Sequence, residues 1–324
     1  MDDFVVEYRT FHNADPPKIL RLWHASNLGP SAAEGFPCDV LELFVFSQPF
    51  FDRRGCILAI EDERVIGFVH AGFSASRAGD ALDFEKGVIA ALVVHPDFRR
   101  RGIATELIRR AEGYLAGKGA KEVTAGGGAD GNGFYVGIYG GLEPSGFAES
   151  AAPWSQLFER LGYQARPPVV VLHRDLNKGR DPVSSRLLRH RRRLNLVITD
   201  RIPGLNWWWY TRFGHLDAIQ FELRDRVSNE AVAMGQIIGL DVYVPKWGVR
   251  AVGMRQIYVP EPYRRQGYGL SLVLEITRRL RDQSVQLIEA QVGTENEPAM
   301  ALFREALFEP MQQLVAFRRI LSAD

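Results

Sequence analysis

Two decapeptides carry the same functional groups in the same order: HPDFRRRGIA, His95–Ala104, and PEPYRRQGYG, Pro260–Gly269. Each sets arginines just ahead of a glycine, with an apolar run after it that reads as a helix. The first turn of a helix has backbone N–H groups without intrahelical partners, and the helix dipole adds partial positive charge there. Gly102 and Gly267 let the backbone approach a ligand with no Cβ in the way. Arg99, Arg100 and Arg101 in one copy, and Arg264 and Arg265 in the other, add charge-assisted donors. The chemistry that fits is the grip of a pyrophosphate. The spacing is not that of a P-loop, which needs Gly-Lys-Ser/Thr, nor of a GxGxxG dinucleotide turn.

Such a turn needs a strand before it and a helix after it, and both halves of the chain supply them. With Arg99 placed on Arg264, an offset of 165 residues (264 − 99), Gly102 meets Gly267 and Ala104 meets Gly269. VIAALVV and MRQIYV precede the turns as apolar, β-branched strands. Ile103, Leu107, Ile108, Ala111 and Leu115 recur at helical spacing after the first. Leu270, Leu272, Leu274, Ile276 and Leu280 do so less cleanly after the second. A later block, SQLFERLGY, matches MALFREALF at an offset of 145 (302 − 157). The first half therefore holds 20 residues (165 − 145) that the second lacks, near the glycine-rich stretch 128–150. That stretch reads as a functional or mobile loop. A repeated domain explains these matches. The expected division is 1–178, a basic linker at 179–195, and 196–324.

Composition sets the bounds. The chain has 324 residues, 46% hydrophobic and 24% charged, as expected of a soluble globular protein of two domains. A net charge of +1 gives no global attraction to nucleic acid or anionic membrane. Arg186–Arg193 is a short basic run without interleaved aromatics, so it reads as a linker or solvated helix face. NWWWYTRF, Asn206–Phe213, reads as an inter-domain seam or the lining of a pocket. Cys38 and Cys56 form no zinc or disulfide framework, and no metal site is expected. The expected setting is a reducing cytoplasm, with no membrane span.

VVHPDFRRRGIATEL and YVPEPYRRQGYGLSL resemble the acetyl-CoA-binding motif of the Gcn5-related N-acetyltransferases, [Q/R]-x-x-G-x-[G/A]. TENEPAMALFREALF resembles the family's later motif through Asn296, Ala299, Leu302 and Phe303, and the resemblance implies that Asn296 contacts the cofactor. The tandem layout resembles that of the mycothiol synthases. The resemblance implies an α+β fold: two tandem acyl-CoA N-acyltransferase-like domains, each a mixed, mostly antiparallel sheet flanked by helices. It implies acetyl-CoA or CoA as cofactor, with Leu92, Val93 and Val94, and Ile257, Tyr258 and Val259, along the pantetheine arm. Arg99, Arg100, Arg101, Gly102, Ile103 and Ala104 would hold one pyrophosphate. Arg264, Arg265, Gln266, Gly267, Tyr268 and Gly269 would hold another. It further implies direct attack by a primary amine, of a small molecule or peptide, on the thioester.

The catalytic groups depart from the pattern. The helix position that often carries an acid tyrosine holds Phe158 and Phe303, and phenylalanine has no proton to give. The position of the usual base glutamate falls near Val88 and Gly253. The extra segment offers Tyr135, Tyr139 and Glu143, and the expected assignment is Glu143 as base and Tyr139 as acid. Without these, the chain reads as an acyl-CoA-binding or sensing protein.

Overall fold

The structure, a computed structural model, describes residues 5–128, 131–202 and 204–321. The chain forms two compact units, and neither is one continuous stretch. The first comprises Met1–Pro168, Asn206–His215 and Gln313–Asp324; the second comprises Val169–Leu205 and Leu216–Gln312.

The first unit opens with β1 (Glu7–Thr10), α1 (Pro16–Ala25), α2 (Cys38–Leu41), β2 (Cys56–Glu61), β3 (Arg64–Ala75) and β4 (Leu82–Val94). It continues with α3 (Ile103–Gly117), β5 (Glu122–Ala125), β6 (Phe147–Ala148), α4 (Trp154–Arg160) and β7 (Gln164–Ala165). The second unit takes β8 (Val169–Asp175), α5 (Ser185–Arg193) and β9 (Leu194–Thr199). The chain returns to the first unit for α6 (Trp207–Phe213). The second unit resumes with β10 (Ala218–Asp225), β11 (Ala231–Gly239), α7 (Val244–Trp247), β12 (Ala251–Tyr258), α8 (Tyr268–Asp282), β13 (Leu287–Gly293) and α9 (Glu297–Glu305). β14 (Glu309–Val315) runs across the boundary at residue 312, and β15 (Phe317–Ile320) lies in the first unit.

The sheet of the first unit has the order β1-β2-β3-β4-β5-β15-β7 and is antiparallel except where β4 runs parallel to β5. In the second unit the order β8-β13-β12-β11-β10-β9 repeats this plan, with β12 parallel to β13. Val88–Val94 are all buried, which explains why that strand reads as an unbroken apolar run rather than an alternating one. α3 buries Ile103, Leu107, Ile108, Ala111 and Leu115, the stripe its spacing predicts, in one core with Ile66, Val69 and Leu92. α8 instead buries residues on most of its circumference, including Tyr268, Gly269 and Ser271 in its first turn. Among the described residues no helix is long and apolar enough to cross a membrane.

The strand beside each parallel pair comes from the other half of the sequence. β5 pairs with β15 from near the chain's end, through Phe317↔Ala125. β13 pairs with β8, which directly follows the first half, through Glu289↔His173. The expected linear division therefore differs from the observed units. The expected linker 179–195 also differs: α5 fills half of it, with Ser184 accepting from the Leu187 N–H as N-cap and Leu187 buried in the second core.

Candidate functional site

The two arginine–glycine turns have one backbone conformation. Gly102 and Gly267 sit at the N-caps of α3 and α8 with φ of 81° and 84°. Arg100 and Arg265 precede them at φ of 64° and 62°. These left-handed residues turn the chain so that successive N–H groups face the same side, ahead of a 15-residue helix in each case. Arg99 and Arg264 have a different role from the one their charge suggests. Arg99 donates to the carbonyls of Val94, Ser26 and Ala151, and Arg264 donates to Val259. They pin the turn to the strand before it, and in the first turn Arg100 is an exposed arginine that lines the cleft.

Each strand before a turn carries a β-bulge. β4 has one extra residue, Ala90, between the pairs His70↔Ala91 and Ala71↔Ile89. β12 has its irregularity around Gln256, at φ 50°. β5 pairs with β4 only over Lys86–Ile89, so from Ala91 onward that edge of β4 is open. In the first unit the gap is a cavity of about 700 Å3. Its walls are Leu92–Val94, the turn from Arg99 to Thr105, and Trp154, Leu157 and Arg160 of α4. Gly102 borders it with nothing within 4 Å of where a Cβ would lie.

At the inner end, by the bulge, lies a narrow extension of about 10 Å3 walled by Trp23, Ala91, Phe147, Trp154 and Tyr139. Leu28, Leu92, Val93, Ala151 and Trp154 border both spaces. The Tyr139 hydroxyl accepts from the Ala148 N–H at 3.2 Å, and burial pushes its pKa up to about 12. The expected acid thus lines this small space, next to the cleft. The expected base does not: the Glu143 carboxylate is buried in an ion pair with Arg212 of α6. That pair also places NWWWYTRF within the first unit, where Trp208 packs on Phe50. Sequence reasoning had no signal for it, since Glu143 and Arg212 are 69 residues apart.

Among its described residues the glycine-rich segment is a loop by backbone and a core element by burial. Phe134, Tyr135, Val136, Ile138 and Leu142 are all buried, and Ala33 donates its N–H to Ile138. The Tyr135 hydroxyl is 3.2 Å from His70 Nδ1, and its ring stacks on Trp23. Phe158 is likewise a core residue, stacked on Phe147 and Phe317, and does not line the cleft.

His70 is fully buried, and burial lowers its pKa to about 3. The unfolded imidazole gains its proton near pH 6.5, so stability is fully present above that pH. It falls as the pH drops from 6.5 toward 3, by about 1.4 kcal/mol per pH unit. Urea unfolding at pH 7 and pH 5 is expected to show about 2 kcal/mol lost through this residue, and His70→Gln removes that component.

The second turn is exposed at Arg264, Arg265 and Gln266 but crowded around its glycines. A Cβ on Gly269 would lie 2.7 Å from Leu302 Cδ1 and 3.4 Å from Val259 Cγ2. The same construction at Gly267 meets Arg186 Nε at 2.8 Å. The ring of Tyr268, whose place in the first unit is taken by cleft-lining Ile103, stacks on His190 of α5. His190 Nδ1 is 2.7 Å from Ser271 Oγ. Asn296, expected at the cofactor, caps α9 by accepting from Ala299 N–H. Ile257 and Tyr258 border a recess with Gln220 and Gln236. The basic run also finds its role here: Arg191 pairs with Glu275 and Arg193 with Asp225.

Comparison with known proteins agrees with this geometry. The model of the acetyltransferase (GNAT) family matches residues 21–138 and 201–307. No curated protein matches the sequence. Among solved structures, a tandem GNAT protein from the clavulanic acid biosynthesis pathway is 16% identical, with a TM-score of 0.67 over 99% of this chain and 100% of that one. A GCN5-related N-acetyltransferase from Sphaerobacter thermophilus is 16% identical, with a TM-score of 0.65 over 98% and 97%. A glucosamine N-acetyltransferase region of a fungal multi-domain GH3 β-N-acetylglucosaminidase is 14% identical, with a TM-score of 0.72 over 98% of this chain and 38% of that one. At these identities the likeness is one of fold. The family model covers both arginine–glycine-turn regions and more than half of the residues, and the chain belongs to the acetyltransferase (GNAT) family, with two such domains in tandem.

Proposed function

We propose that the first unit transfers an acetyl group from acetyl-CoA to an amine, and that the second unit binds no CoA. The observation that carries this reading is the asymmetry between the two turns: one opens on a cleft of about 700 Å3, while at the other Leu302, Val259 and Arg186 lie close against the glycines. In the first unit the N–H groups at the start of α3, with Arg100, face the diphosphate. The pantetheine amides pair with the free edge of β4 from Ala91 to Val94, which brings the thioester to the bulge. The extension of about 10 Å3 beyond it has room for about one methyl-sized group, which favours acetyl over longer acyl chains.

Attack by the amine forms a C–N bond and an oxyanion; its collapse breaks the C–S bond, and the proton shed by the nitrogen passes through water to the departing thiolate to give CoA thiol. Among the described residues no carboxylate lines the cleft or its extension, so the amine arrives neutral or loses its proton through water. Tyr139 keeps its proton across the working pH range, with its pKa pushed up to about 12. So weak an acid stabilises developing negative charge as a hydrogen-bond donor and does not surrender its proton. Losing one such donor costs about 100-fold in kcat. Tyr139→Phe is expected to show that loss with CoA affinity unchanged; an unaltered kcat would remove Tyr139 from the mechanism.

The test of the whole reading is calorimetric titration with CoA, expected to give one site per chain, joined to a thiol-release assay across amines. The absence of a carboxylate from the cleft favours a second reading, acyl-CoA binding without transfer. One-site binding with no amine-dependent thiol release would establish it.

A further inference from the structure

The first unit has a second recess, of about 250 Å3, that shares no lining residue with the cleft. Separate elements bring cations to it. α1 turns one face inward, with Lys18, Arg21, Leu22 and Ala25 at positions i, i+3, i+4 and i+7. Arg64 opens β3 beside Glu63, and His95 directly follows β4. Arg64 Nη2 lies 2.7 Å from His95 Nε2. A guanidinium only donates, so that nitrogen accepts and the imidazole is neutral. Burial and then the charge of Arg64 hold the His95 pKa below its ordinary value, in agreement. Asp97 lies 3.7 Å from the other ring nitrogen and does not line the recess.

Among the described residues none of the three cations forms an ion pair with a carboxylate. Arg21 is exposed and makes no hydrogen bond, Arg64 donates to a neutral ring, and Lys18 reaches only the Glu63 carbonyl, at 3.5 Å. Arg9, ahead of the same helix, is by contrast clamped by Asp15. Glu63 is the one carboxylate on the lining, so the recess carries a net charge of +2 (3 − 1). Arg21, Glu63 and Arg64 are exposed and Lys18 is half-buried, so a ligand in the recess can touch every charged group that defines it. Concave surface of one sign concentrates the opposite ion.

We propose that this recess binds a phosphoryl group, as free phosphate or as the phosphate monoester of a small molecule. A net charge of +2 matches the phosphate dianion. Donors from a helix on one side and a strand on the other suit tetrahedrally placed oxygens, whereas a planar carboxylate is met by a single guanidinium fork. The volume lies just under the usual range of ligand pockets, which restricts the ester to a short substituent. The inference does not rest on acyl transfer, because no residue of the recess belongs to the cleft.

The test is calorimetry with protein-observed NMR on the full chain at about pH 7.5, where inorganic phosphate and glycerol 3-phosphate are mainly dianions. The titrations are repeated with saturating CoA and on Gly102→Glu, so that phosphate held by the turn before α3 is not counted. Both dianions are expected to saturate and to shift the His95 ring resonances, with acetate at least tenfold weaker. Either order of the two supports the site, and the tighter one names the source. Arg21→Ala and Arg64→Ala should each weaken binding at least fivefold. Arg21 is exposed and unpartnered among the described residues, so its variant keeps the test open if the Arg64→Ala protein does not fold. Failure of both dianions to saturate, acetate binding as tightly, displacement by CoA, or affinity that neither variant lowers would each overturn the proposal. Phosphate binding through Arg21 in a chain that binds no CoA would strike the acyltransferase reading and leave this one standing.

Discussion

Gly102→Glu raises the Kd for CoA at least a hundredfold, while Gly267→Glu leaves it within twofold. Two effects compete at Gly102. Its φ of 81° strains any side chain, by about 1–2 kcal/mol, but that strain is present with and without ligand and so acts on stability. The second effect is charge. A carboxylate about 5 Å from a diphosphate, in surroundings of intermediate dielectric, opposes binding by about 3 kcal/mol. That alone is roughly a hundredfold. Gly102→Ala separates the two: nothing lies within 4 Å of its Cβ position, so stability falls while affinity changes less than about fivefold. Gly267→Glu meets the flexible end of Arg186, in a turn proposed to hold no diphosphate. Calorimetry on the four proteins measures both quantities, and equal loss at the two turns would refute the proposed division of labour.

The repeat, the turns and the fold class were legible because each rests on local chemistry. An arginine–glycine turn between a β-branched strand and an apolar helix has few other structures open to it, and φ agrees between the copies to within 3° at the glycines. What could not be read was partnership. VVVLHRD announces a strand by composition, but nothing in it says that its neighbour is β13, more than a hundred residues later. For the same reason a linear boundary was expected where the strands are exchanged. The crowding at the second turn depends on Leu302 approaching Gly269, which no motif encodes, since Leu302 and Leu157 fill the same motif position in both halves. The glycine-rich segment is the loop its glycines suggested, but a buried one: the aromatic and aliphatic residues between them, Phe134, Tyr135 and Ile138, carried the signal for burial. Tyr139 lines the small cavity beside the cleft, whereas Glu143 is held by a guanidinium that the sequence brings from far away.

That guanidinium is the subject of the second large effect. Arg212→Ala is expected to destabilise the protein by about 3–5 kcal/mol. Both partners are buried, with side-chain exposures of 3% for Arg212 and 8% for Glu143, so truncation leaves a carboxylate in an apolar interior without its counter-charge. For a unit of this size that is a fall of about 10 °C in Tm. The loss measures an uncompensated charge and not the net worth of the pair, so removing both charges should recover most of it. The double variant Glu143→Leu with Arg212→Met is expected within about 1–2 kcal/mol of wild type, because two desolvation penalties vanish together with one attraction. The same residues decide the catalytic question. If Glu143 only holds α6 in place, Glu143→Gln lowers Tm and leaves kcat of the folded fraction within about threefold. If it takes the proton from the amine, kcat falls by about 100-fold or more at unchanged Tm. Thermal unfolding and thiol-release kinetics on one preparation distinguish the two. The burial of the pair and its separation from the cleft-lining residues predict the first.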